Sequence, residues 1–219
     1  MKNRNSKYPT RSSIAAVLLL LSLVALLPFR SPAPLVYAPG EGWLYEPVDG
    51  KGFRPEPGYV SLFNGKDLTG WGYETNNFDG KIESSDGRYS ATNGVLVVHP
   101  REPRLAQKLW TTREFSKDFN LRLEFRAAVN ADSGIFIRKP QLQCRDYLVA
   151  GPEKYKQLKK YRPQEWNVIE VTVTNGVAFC TCNGEVLETA LKVPDTGPIG
   201  IEADRGQMEY RRIRLKELP

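Results

Sequence analysis

A lone glutamate set between two arginines is the place in this chain where chemistry could concentrate. It lies in Lys117–Arg138, which reads KDFNLRLEFRAAVNADSGIFIR. Glu124 stands between Arg122 and Arg126 on one parity of that stretch. A carboxylate so placed serves as a general base or as a cation ligand. Arg138 closes the following apolar run. Its guanidinium stays charged and offers several donors to a developing negative charge. Further on, Asp146 is a second candidate base or metal ligand, and Gln143 suits hydroxyl recognition. His99 is the only histidine and ends an apolar run before Pro100, where a near-neutral pKa gives it a use in proton transfer. Trp71 and Trp166 offer flat rings for stacking. Each residue also has a plain structural reading: a salt-bridged strand carboxylate, a strand-end arginine, an aspartate before a turn, a surface histidine, core tryptophans. No Ser-His-Asp arrangement and no phosphate-cradling glycine loop is evident.

The elements that must position these groups are strands. Phe119, Leu121, Leu123 and Phe125 alternate with Asn120, Arg122, Glu124 and Arg126, the period of a half-buried strand. A turn of small residues (130–134) leads to a second strand, Ile135–Arg138. Chain order then puts Glu124, Arg138, Gln143 and Asp146 on neighbouring strands of one sheet, around one concave pocket. Near the C-terminus, Asn-Gly pairs at 175–176 and 183–184 separate Asn167–Thr174, Val177–Cys182 and Glu185–Ala190. Asn-Gly favours the two-residue hairpin turn, so Val173 is expected opposite Ala178, Val171 opposite Cys180 and Ile169 opposite Cys182. That buries both cysteines. A bond from Cys144 to one of them stays open, whereas a Cys180–Cys182 bond lies near the limit of disulfide reach. Pro152–Tyr161 reads as the one helix, carrying four lysines. It is either a solvated turn or a cationic lid. In Met208–Leu218 the apolar parity breaks at Arg211-Arg212, which predicts a bulge.

Residues 1–13 are basic and Ile14–Leu27 is apolar, the pattern of a signal peptide. Cleavage is expected after Ala38, with an uncleaved anchor as the alternative. Residues 39–58, rich in Pro and Gly, form a linker or an arm whose Trp43, Tyr45 and Phe53 dock on the domain. Residues 59–219 form the domain. The chain carries 31 basic and 25 acidic side chains. Without the leader's five basic residues, 26 remain against the same 25, so the high pI gives no support for nucleic-acid binding.

Five motifs occur in an order that resembles the 3-keto-disaccharide hydrolase family, also known as DUF1080. They are SLFNGKDLTGW (61–71), FNLRLEFR with DSGIFIR, QLQCRD, QEWNVIEVTV with its hairpins, and GPIGIE followed by YRRIRLKEL. The resemblance covers Tyr59 to Leu218. It implies an all-β fold, a concanavalin/laminin-G-like jelly-roll β-sandwich with one short helix. It also implies an exported, periplasmic or extracellular enzyme that acts on oxidised glycosides. A base removes the proton at C2 of a 3-keto-glycoside, the C1 substituent leaves, and water adds back. Glu124, Arg138 and Asp146 are the expected catalytic groups, and Gln143, Trp71, His99 and Trp166 the substrate-binding ones. The expected partner is a carbohydrate, with no membrane association after signal cleavage; a divalent metal is the one cofactor the chemistry leaves open. Departures from the family pattern fall at Gln141, Glu202, Arg205 and Arg212. A two-carboxylate glycosidase drawing on Glu124, Asp132, Asp146 or Glu202, a non-catalytic carbohydrate-binding module and a structural envelope protein are the competing readings.

Overall fold

A computed structural model describes residues 53–149 and 151–219. The expected leader and most of the expected arm, including Trp43 and Tyr45, lie outside the described residues. In chain order the strands are β1 (Val60–Ser61), β2 (Trp71–Tyr73), β3 (Asn76–Asn77), β4 (Tyr89–Thr92), β5 (Val95–Val98), β6 (Gln107–Glu114) and β7 (Phe119–Ala127). Then come β8 (Asp132–Ile137), β9 (Gln141–Arg145), β10 (Asn167–Thr174), β11 (Val177–Cys182), β12 (Glu185–Lys192), β13 (Pro198–Ala203) and β14 (Met208–Glu217). The helix is a single turn, α1 (Glu153–Lys156), shorter than the expected 152–161. Its lysines are engaged locally: Lys154 pairs with Glu188 and Lys156 with Glu153. Among the described residues no helix is long and apolar enough to cross a membrane.

These strands make a jelly-roll β-sandwich of two antiparallel sheets. The larger runs β12-β11-β10-β7-β14-β5-β4, with β1 added to β14; the smaller runs β3-β2-β6-β13-β8-β9. The alternation in β7 works as its period requires: Phe119, Leu121, Leu123 and Phe125 are fully buried. They meet Ile135 and Ile137 of β8, Leu142 and Cys144 of β9, and Ile199 and Ile201 of β13 in one core between the sheets. The Asn-Gly turns set the expected register, with Val173 opposite Ala178, Val171 opposite Cys180 and Ile169 opposite Cys182. All three cysteines are buried and free, so no bond joins Cys144 to its neighbours. Burial pushes the Cys180 and Cys182 thiols up to about 12. The expected bulge in β14 falls between Arg211 and Arg214.

The connection from β7 to β8 decides where function can sit. Ala128–Ala131 carries the chain from the larger sheet to the smaller one. Outward-facing residues of β7 and β8 therefore point to opposite sides of the molecule.

Candidate functional site: the outer face of the smaller sheet

That crossing divides the expected site. Glu124 lies on the outer face of the larger sheet, its two oxygens taken by Arg211 at 2.7 Å and Arg212 at 3.0 Å. Trp166 shares its cleft, with the Arg211 guanidinium 3.9 Å from the ring centroid. Arg138 follows β8 in the other sheet and does not meet Glu124. Its guanidinium donates to the carbonyls of Pro194 and Lys117, both at 2.7 Å, and lies over the Phe119 ring. It pins two loops to the end of the strand, and burial disfavours its charge. Asp146 is buried and accepts from the backbone N–H of Asn130 at 3.0 Å, with Tyr161 and Gln164 at 3.4 Å. It staples a turn. Trp71 is wholly buried and donates its indole N–H to Leu62. His99 sits at the end of β5 with Nε2 2.7 Å from the Ser90 hydroxyl, and burial lowers its pKa. The single pocket of Glu124, Arg138, Gln143 and Asp146 is thus not formed. Of the expected residues, Gln143 projects from the open face of the smaller sheet, and Arg138 lines a cleft beside Trp110.

On that face the side chains fall in rows set by the strand register. Gly200 of β13 is flanked by Trp110 of β6 and Phe136 of β8. Without a side chain at 200, the Trp110 ring lies flat over the backbone; a Cβ there would sit 2.5 Å from the ring. Trp110 and Phe136 meet at 5.1 Å between centroids, and the Lys108 ammonium lies 4.7 Å from the Phe136 ring. One row down, Glu202 of β13 stands beside Lys108 of β6. From β9, Gln141 reaches over Gly134 of β8 and donates its amide to the Glu202 carboxylate. Gln143 in turn donates to the Gln141 carbonyl oxygen at 3.1 Å. Beyond them Asp132 is gripped by Arg145, with Arg205 at 3.8 Å, and Asp204 is gripped by Arg104.

Electrostatics single out Glu202 among these carboxylates. Burial pushes its carboxyl up; the charges of Asp204 and Asp132 add to that, while the Gln141 hydrogen bond and the Lys108 ammonium pull it down. Asp132 and Asp204 are each paired with arginines, whereas Glu202 has none beside it. A carboxylate with a raised pKa, held in one orientation by an amide chain and set beside an ammonium and an aromatic platform, can accept and return a proton next to a stacked ring. Among the described residues no group of three or more His, Cys, Asp or Glu is placed to hold a metal ion.

The sequence reading places Glu202 among several spare carboxylates and among the departures from the family pattern, and does not single out Lys108, Trp110 or Phe136. The signals were present. Glu202 is opposite in parity to Ile201 in a strand whose apolar residues face the core, and Gly200 beside it marks a close approach. Gln141 and Glu202, two of the departures from the family pattern, prove to be hydrogen-bonded to each other.

The family model of the 3-keto-alpha-glucoside-1,2-lyase-like domain matches residues 58–216, most of the chain. The protein belongs to this family. Two solved structures share the fold, each of a candidate glycosyl hydrolase from Parabacteroides distasonis. One is 17% identical with a TM-score of 0.58, covering 74% of this chain and 95% of its own. The other is 19% identical with a TM-score of 0.53, covering 73% and 99%. No curated protein matches the chain in sequence. The family is one of carbohydrate-related domains, and on the smaller sheet of this member Trp110 and Phe136 stand next to Lys108 and Glu202.

Proposed function

We propose that this protein is an exported enzyme that cleaves 3-keto-glycosides on the outer face of the smaller sheet, with Glu202 as the base. The observation that carries the reading is the Glu202 carboxylate itself, raised in pKa by burial and oriented by Gln141 beside Trp110 and Phe136. Family membership supports the substrate class, and the basic, then apolar, N-terminus supports export.

The chemistry follows from the ketone, which acidifies the proton on C2. Glu202 takes that proton, and the C2–H electron pair moves into a C2–C3 double bond with negative charge on the C3 oxygen. The Lys108 ammonium stabilises that charge. When the C3 carbonyl re-forms, a C1–C2 double bond forms and the C1–oxygen bond breaks. Protonated Glu202 returns its proton to the departing oxygen. Water then adds, its hydroxyl to C1 and a proton to C2, completing hydrolysis. Trp110 and Phe136 hold the sugar ring, and Gln143 keeps Gln141 aimed at the carboxylate.

The rival is a non-catalytic carbohydrate-binding module, favoured by the open Trp110–Phe136 platform. Incubating the purified protein with a 3-keto-glucoside, with and without divalent cation, separates the two. Release of the leaving alcohol supports the enzyme; binding with no release supports the module. Export has its own check: the N-terminal residue of the secreted protein is expected near Pro39, and a membrane-retained protein still starting at Met1 would refute cleavage.

A further inference from the structure

The larger sheet carries a second feature that the chemistry above does not use. On its outer face a cleft of ≈ 550 Å³ is lined by Glu124, Arg126, Arg162, Trp166, Arg211 and Arg212, with Glu165 at its edge. That volume is in the range of small-molecule sites. Successive residues of a strand normally project to opposite faces. Arg211 and Arg212 do not, because the bulge in β14 and a φ of 53° at Arg212 turn both guanidiniums onto Glu124. A non-glycine residue in the left-handed region is strained, and such strain gathers at functional sites. One arginine would neutralise Glu124, so the strain delivers a second guanidinium, and that side chain stays 44% exposed. Arg162 lines the same cleft, is exposed, and donates one N–H to the Trp166 carbonyl at 2.5 Å. The Trp166 indole N–H has no acceptor among the described residues. Four guanidiniums line the cleft against the carboxylates of Glu124 and Glu165, with Glu209 buried behind Arg126.

We propose that this cleft binds a saccharide bearing an oxyanion, a uronate carboxylate or a sulfate ester, through the forks of Arg162 and Arg212. A planar fork pairs two-to-two with such an anion, which a neutral sugar cannot offer. The site faces away from Glu202 and does not depend on the activity proposed there. Titration calorimetry of the full chain tests it with four probes: a glucuronate-containing disaccharide, a sulfated disaccharide, neutral cellobiose and sodium sulfate. At least one anionic disaccharide is expected to bind, more weakly as salt rises, and cellobiose is not; the better of the two identifies the oxyanion. Arg212→Gly removes the fork while relieving the backbone, so it is expected to unfold at no lower temperature yet bind about tenfold or more weakly, as a lost charge-assisted pair requires. Arg162→Ala, at an exposed position, is expected to weaken binding likewise. Equal binding of cellobiose, binding of sulfate alone, or unchanged affinity in both variants would overturn the proposal.

Discussion

The amide of Gln141 crosses above Gly134 to the carboxylate of Glu202, joining β9 to β13 over the intervening strand β8. The crossing is open only because position 134 has no side chain. A Cβ there would fall 2.1 Å from the Gln141 amide nitrogen. Gly134→Ala is therefore expected to push the amide off Glu202. Turnover should fall by up to roughly 10²-fold, the scale of a catalytic group displaced by about an ångström. Circular dichroism should show the fold retained. Unchanged turnover would mean that the pair has no role in activity.

The shifted pKa of Glu202 predicts a sign for stability against pH. Its native value lies above the ordinary 4.5, so between the two values the native state holds more protons than the unfolded one. The associated stability is complete below the unfolded value and is lost as pH rises through the native one. Glu209 is raised in the same direction, so the comparison needs wild type against Glu202→Gln. Denaturant titrations should show the two differing by a constant amount at acid pH, with the variant gaining on wild type as pH rises through the native pKa. A difference independent of pH would refute the shift.

Glu124→Gln separates the two faces of the sandwich. It removes the charge that Arg211 and Arg212 share, from a site where the glutamate side chain is 12% exposed. A stability loss of about 1–3 kcal/mol is expected from replacing a charged acceptor with a neutral amide in this partly buried pair, measurable by chemical denaturation. Turnover of the 3-keto-glucoside should change little. A large loss of activity with intact folding would return the catalytic role to Glu124.

The three thiols should be silent in the native protein. Cys144, Cys180 and Cys182 are fully buried, and burial keeps their protons on. A thiol reagent is expected to label none in buffer and all three in guanidinium. Rapid native labelling of Cys180 or Cys182 would contradict the β10–β11 register.

Much of the fold was legible because its local signals are strong. Two Asn-Gly turns fix β10, β11 and β12, and the broken parity at Arg211-Arg212 locates the bulge. The site was less legible for a physical reason. A two-residue period tells which side chains leave the core, but not toward which side of a two-sheet molecule. Glu124 leaves the core from β7 and Arg138 follows β8, yet Ala128–Ala131 moves the chain between sheets, so the two lie apart. Asp146 failed differently: an aspartate that caps a turn through backbone N–H groups and one that acts as a base look alike until partners are counted. Glu202 needed the third dimension, because its environment is made by β6, β8 and β9, all distant from it in sequence.

The most direct test of the central claim is single-turnover cleavage of a 3-keto-glucoside by Glu202→Gln, which keeps the shape and hydrogen-bonding capacity of the side chain and removes the base. The account predicts a rate lower by roughly 10²–10⁴-fold, the range of a lost general base, with substrate binding and thermal stability preserved. Cleavage by Glu202→Gln at the wild-type rate would contradict it.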